Sequence, residues 1–342
     1  MSLALQPPAL NASTPTLADW MELHSFYNAR GRTSGADLIA IGQVEDDRES
    51  DDHIESDARL EALVDRVFLE LDRRARAADG RYPFRVNQAG SSLLVREGDL
   101  NYGEYAYLFC LLVSEYRRQQ MITSSIFAPV AAEVEDLFQL CGTIAAAGLL
   151  RGAAVSFGFP RPDGSGFLEA LKRTFVDRMC EGQTEAAARP GVSSRTKDGG
   201  IDIVAWRDFP DGLPSKLYLL GQCASGAAYP SKGIRSFLSS FHGDWFLVQP
   251  GSPPIEALFI PFMLDHDVVP RRTESLAAAR AGRYLSMARE LGVILDRCRI
   301  ACLVEDGAAM AHVKPSLVEG VSEFARVRSW VDRVSAAIRA AA

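Results

Sequence analysis

Lys197-Asp198-Gly199-Gly200-Ile201-Asp202-Ile203-Val204-Ala205-Trp206, followed by Leu217-Tyr218-Leu219-Leu220-Gly221-Gln222-Cys223, decides how the chain reads. Between the two apolar runs, Asp208-Phe209-Pro210-Asp211-Gly212 supplies turn formers, so the runs read as neighbouring β-strands. In the first strand Ile201 and Ile203 point to one face, and Asp202 and Val204 to the other. Asp202 therefore stands at the strand's start, one residue after a glycine pair that permits close approach. A carboxylate in so apolar a strand is costly to bury without a partner or a cation. Gln222 reaches the end of the second strand just before a break at Ser225-Gly226, so a carboxylate and an amide oxygen arrive at one end of a sheet.

Outward from this pair, apolar spacing predicts helices over about 16–27, 60–78, 102–120, 130–150, 167–180, 230–241, 275–291 and 322–340. Strands are expected over 154–159, 257–262 and 299–304, with a further strand pair in 82–96. Pro230 suits a first helical turn, and Gly152 suits the end of the 130–150 helix. From about residue 130 helices and strands alternate, which implies an α/β domain with a mixed sheet flanked by helices on both faces. The reading divides the chain into a mainly helical N-terminal lobe, 1–125, and an α/β domain, 126–342. The acidic run Glu45–Asp57 reads as a solvated loop of that lobe.

Composition sets the frame. The chain has 342 residues, 47% hydrophobic and 24% charged, enough for one large domain or two ordinary ones. A formal charge of −7 argues against a protein that coats nucleic acid non-specifically, while leaving room for a local basic cleft. The six cysteines form no CxxC pair, and none of the five histidines joins a cysteine at finger spacing, so a zinc site is not expected. The N-terminus has no signal-peptide character, and the longest apolar stretches, 105–113 and 144–150, are too short to span a bilayer. A soluble, cytoplasmic protein without membrane partners is the expectation. There is no P-loop and no nucleophile elbow.

Asp202, the Gln222 side-chain oxygen and the Cys223 backbone carbonyl could supply three oxygens to Mg²⁺, which takes near-octahedral oxygen ligands and keeps several waters. The plainer alternative is that Asp202 caps a turn and Gln222 satisfies loop backbone. The pattern GGIDIVAW…LLGQC resembles the core of the PD-(D/E)xK nuclease superfamily, in its Mrr-like restriction endonuclease branch, over about residues 130–265. In that family an upstream helix supplies a glutamate, a strand an aspartate within G-[IV]-D, and the next strand an [E/Q]-x-K tripeptide. The resemblance implies a restriction-endonuclease-like fold and a Mg²⁺- or Mn²⁺-dependent endonuclease acting on DNA in bacterial restriction or anti-phage defence. A separate ATPase or helicase would be its partner, since no helicase motif is present.

By that resemblance Asp202 is the metal aspartate and Gln222 replaces the second acid. Glu135 ranks first for the helix glutamate, ahead of Glu181 and Glu169. The tripeptide departs from the family at Ala224, where lysine is expected. Lys232, read as lying in the first turn of the next helix, is long enough to return its ammonium to the site. Arg117, Arg118, Lys172, Arg173, Arg195, Lys197 and Arg235 are candidate phosphate contacts. Without the lysine, the same fold would serve as an inactive scaffold or nucleic-acid-binding subunit of a defence complex.

Overall fold

The stripe Leu60, Leu63, Val64, Val67, Phe68 and Leu71 folds, as its spacing requires, into one long helix whose apolar side joins the core. The computed structural model describes residues 5–9, 11–46, 53–161, 163–193, 196–264, 268, 271 and 273–341. Helix α1 (Thr14–Tyr27), strand β1 (Arg32–Ser34), α2 (Gly35–Asp46) and α3 (His53–Ala77) come first. They are followed by β2 (Phe84–Val86), β3 (Ser92–Val95), α4 (Tyr102–Arg118) and the short α5 (Ser124–Phe127). A 3-10 turn then leads into α6 (Val134–Leu150), β4 (Ala153–Ser156), α7 (Phe167–Leu171), which continues as a π-helical segment, and β5 (Gln183–Thr184). The remainder is β6 (Ile203–Arg207), β7 (Leu217–Cys223), α8 (Leu238–Trp245), β8 (Phe246–Val248), β9 (Ile255–Phe259), α9 (Leu276–Leu291), β10 (Val293–Leu295), α10 (Arg297–Val313) and α11 (Phe324–Ala340).

The central sheet has the order β10-β9-β7-β6-β4. Strands β4, β6 and β7 are antiparallel neighbours, whereas β7, β9 and β10 run parallel. The architecture is thus α/β, a mixed sheet flanked by helices. On one face Ile203, Ala205, Leu219, Ala257 and Phe259 join the core that contains α6. Gly142 makes that approach possible, because a Cβ there would lie 2.7 Å from Ile203 Cδ1. On the other face Val204, Trp206, Tyr218 and Leu220 pack with Phe175, Phe241 and Trp245.

The boundary expected near residue 125 does not interrupt the interior. One core cluster runs from Leu5 to Ile338 and takes in α1, α3, α4, α6, α10 and α11. A buried charge network binds the same elements. Arg74 donates to Asp19 Oδ1 at 2.8 Å, to Glu22 Oε1 at 2.9 Å and to Glu70 Oε1 at 2.9 Å, and Arg297 donates to Asp19 Oδ1 at 2.5 Å. Tyr82 and Tyr107 donate to Glu22 Oε1 at 2.7 and 2.8 Å. Removing one member would leave an uncompensated buried charge, which costs about 3–5 kcal/mol. The tyrosines of α4 thus divide between core and rim, with Tyr107 wholly buried.

Two elements differ from expectation. Residues 299–304 lie inside α10, not in a strand; Asp296 caps that helix by accepting from Arg299 N at 3.1 Å, and the edge strand is β10. The run Ile300-Ala301-Cys302-Leu303-Val304 is apolar at every position, so its period does not tell a buried strand from a buried helix. The helix expected over 230–241 is broken into 3-10 turns at Tyr229–Ser231 and Ile234–Ser236 before α8 begins. There Gly233 fits against the end of α9, where a Cβ would sit 2.9 Å from Leu291 Cδ2. Of the acidic run, residues 47–52 lie outside the described residues, and its ends belong to α2 and α3. No helix among the described residues is long and apolar enough to cross a membrane.

Candidate functional site

The glycine pair works as a turn. Gly199 and Gly200 take φ of +64° and +80°, the left-handed region that favours glycine. Asp198 closes the turn by accepting from Gly200 N at 2.8 Å. A Cβ on Gly200 would come 2.7 Å from the Phe237 ring, so the turn also needs glycine for space.

This turn delivers Asp202 into the sheet, where its backbone is held on both sides. Its N–H donates to Gly221 O at 2.9 Å, and its carbonyl accepts from Phe157 N at 2.7 Å and Gly158 N at 3.0 Å. The side chain is fixed as well, since Oδ2 accepts from Cys223 N at 2.8 Å. Cys223 thus meets the carboxylate through its amide N–H. With its amide on Gly221 and its carboxylate on Cys223, Asp202 brackets Gln222. Gln222 is 9% exposed, and its Oε1 is buried with no hydrogen-bond partner among the described residues. An orphaned buried acceptor of this kind costs about 1–3 kcal/mol.

Oxygen Oδ1 of Asp202 faces the space beside Gly158. A Cβ on Gly158 would lie 2.9 Å from that oxygen and would collide with Oε1 of Gln139. Gln139 projects from α6, and its Nε2 donates to Ser156 Oγ, with Oε1 on the Gly158 side. Sequence reasoning missed this residue. The available signal was its position one helical turn after Glu135, repeating on α6 the amide that Gln222 carries on β7.

The three ranked glutamates stand elsewhere. Glu135, its side chain 68% exposed, pairs with Arg117 and lines, with Gln139, a cavity of about 430 Å³. Glu169 is exposed on α7. Glu181 is buried and accepts from Lys216 N at 2.8 Å and Gly251 N at 3.3 Å. Lys216 immediately precedes β7 whereas Gln222 stands near its far end, so roughly 20 Å of strand separates Glu181 from Gln222. Glu181 is therefore a backbone anchor at the opposite end of β7.

Lys232 ends the first 3-10 turn and does not lie in the first turn of a helix as expected. It is exposed, and among the described residues it makes no ion pair. Its charge nevertheless acts on Asp202. Burial pushes the Asp202 carboxyl up to about 6, with Asp198 adding to the rise, while the Cys223 amide and the Lys232 ammonium oppose it. Ala224, where the tripeptide lysine would stand, is buried in a cluster with Leu258 and Ile260.

Among the candidate phosphate contacts, Arg117 reaches Ser225 Oγ at 3.0 Å and Lys197 lies 5.2 Å over the Phe159 ring, both bordering the site. Arg173 is taken by Asp163 and Arg235 by Glu256, and Arg195 lies outside the described residues.

No group of three or more His, Cys, Asp or Glu among the described residues could hold a metal ion. Asp202 Oδ1 and Gln139 Oε1 border one space beside Gly158, whereas Gln222, in step with Tyr218 and Leu220, lies on the sheet face opposite α6. An all-oxygen set suits a hard cation such as Mg²⁺ or Mn²⁺ and does not suit zinc. A cation beside Gly158 would relieve the desolvated Asp202 carboxylate, so Asp202 and Gln139 fit the group. No protein-family model, curated protein or solved structure matches the chain.

Proposed function

We propose that this protein is a metal-dependent DNA endonuclease of the PD-(D/E)xK type with restriction-endonuclease-like topology. The observation that carries the reading is the buried Asp202 carboxyl, raised to about 6, which shares the space beside Gly158 with Oε1 of Gln139. The order of parts, helix, Asp202 and then the strand bearing Gln222, supports the reading, with a glutamine, Gln139, where the family's helix carries a glutamate.

When bound, Mg²⁺ would supply charge neutralisation at the scissile phosphate and acidify a coordinated water. Asp202 and Gln139 would hold it. Lys232 would orient the attacking water by donating from its ammonium, taking over the part of the lysine absent at Ala224. Arg117 and Lys197 would position the DNA backbone, which fixes register and carries no base information. Translocation along DNA would need a separate ATPase or helicase partner, in keeping with a role in restriction or anti-phage defence.

A second reading, an inactive nuclease-fold scaffold or nucleic-acid-binding subunit, is favoured by Ala224 and by the single carboxylate of the site. Incubation of the purified protein with plasmid, linear and single-stranded DNA under Mg²⁺ or Mn²⁺ separates the two. Cleavage abolished by Asp202→Ala supports the enzyme. DNA binding without cleavage, or cleavage indifferent to Asp202→Ala, sinks it.

A further inference from the structure

Past the end of β7 the chain turns over a second cavity, of about 300 Å³. Arg117 and Arg118 from the end of α4 form one wall, Ser225 and Gly226 another, and Tyr229 with Phe262 an aromatic side. Ser114, one helical turn before the arginines, also lines it. That serine is 1% exposed and its hydroxyl has no hydrogen-bond partner among the described residues. A buried hydroxyl left unpaired costs about 1–3 kcal/mol, and a polar ligand would relieve it.

The walls differ in chemistry. Arg117 spends Nε on Ser225 and one Nη on Glu135, and a guanidinium carries five donors in a planar fork suited to phosphate. Arg118 sits 5.6 Å over the Phe262 ring, so a second guanidinium lies at the seam between the cationic and aromatic sides. Tyr229 and Phe262 meet edge to face with centroids 5.1 Å apart. Such rings are sequence-tolerant platforms for bases. A volume of about 300 Å³ lies at the small end of ligand pockets and matches one nucleotide unit in size. The cavity also adjoins the candidate centre, since Arg117 lines it while its partner Glu135 lines the cavity that holds Gln139.

We propose that this cavity binds one 5′-nucleotide unit, its phosphate on Arg117 and Arg118 and its base against Tyr229 and Phe262. The unit comes either from a DNA strand lying across the Asp202 site or from a free mononucleotide. Only the choice between these sources rests on the endonuclease reading; the binding itself does not.

The test is calorimetric titration of the full-length wild type in EDTA, where no cleavage enters the readout. The probes are dAMP, dTMP, deoxyadenosine and inorganic phosphate, followed by displacement with a 5′-phosphorylated single-stranded octamer. The expected result is one monophosphate per chain, bound about tenfold or more tightly than deoxyadenosine or phosphate alone. Arg117→Gln should weaken it about tenfold without moving the urea midpoint, and Tyr229→Ala should weaken it about tenfold in the protein that remains folded. Displacement by the octamer assigns the pocket to a DNA strand, and resistance to displacement assigns it to a free nucleotide; either supports a nucleotide pocket. No binding of any nucleotide at millimolar concentration, or binding that neither variant weakens, overturns the proposal. Absence of DNA cleavage would count against the endonuclease reading alone.

Discussion

Asp202→Asn should make the protein more stable, and by an amount that grows with pH. Folding moves the Asp202 carboxyl from 3.8 to about 6, chiefly through burial. A carboxyl raised on folding holds its proton more tightly in the native state. Its stabilising contribution is therefore complete below the unfolded value and is lost as the pH rises through the folded one. A rise of roughly two pH units corresponds to about 3 kcal/mol in all. Of that, about 1.4 kcal/mol disappears between about pH 5 and pH 7.5, a window in which ordinary surface carboxylates are ionised in both states. Asparagine keeps an acceptor for the Cys223 amide and has no charge to desolvate. Urea denaturation of wild type and variant at the two pH values, without divalent cation, measures the gap. It should widen by about 1.4 kcal/mol in favour of the variant as the pH rises. A gap that does not change with pH, or a wild type more stable than the variant at the higher pH, would refute burial as the dominant influence on Asp202.

Gln139→Leu should lower DNA cleavage by about 10- to 100-fold, whereas Glu135→Ala, at an exposed pair, should change it less than about threefold in the same plasmid assay. Gly158→Ala should destabilise the fold by about 1–3 kcal/mol in urea and reduce cleavage with it, because the new methyl runs into Gln139 and Asp202. Glu181→Gln should lose about 1–2 kcal/mol of stability by weakening the hydrogen bonds from Lys216 and Gly251, and leave cleavage by the folded protein unchanged.

The central strands were legible because their pattern admits little else. Leu217–Cys223 coincides with β7, and Asp202 comes just before β6 as the Gly-Gly turn requires. The long helices were legible where apolar residues recur on one face, as over Leu60–Leu71. Legibility failed where the chain is apolar on all sides, at Ile300–Val304, since a helix packed between α4 and α6 and a buried strand then look alike. Strand β1 was missed for the opposite reason, since Arg32-Thr33-Ser34 carries no apolar signal and pairs only because β3 lies beside it.

The site divides in the same way. Asp202 and Gln222 share one ladder, so spacing along the chain revealed them together. Gln139 belongs to a helix more than sixty residues earlier in the chain, and only the packing of α6 on β4 and β6 brings it to Gly158 and Asp202. Glu181 misled because it follows a helix close in sequence to Asp202. Its carboxylate in fact serves the amides at the far end of β7.

Mn²⁺ binding followed by electron paramagnetic resonance, on wild type, Asp202→Asn and Gln139→Leu, addresses the site most directly. The expected result is one Mn²⁺ bound per wild-type chain, binding lost in Asp202→Asn and weakened about 10- to 100-fold in Gln139→Leu. No Mn²⁺ bound by wild type, or equal binding by all three proteins, would contradict a cation site at Asp202.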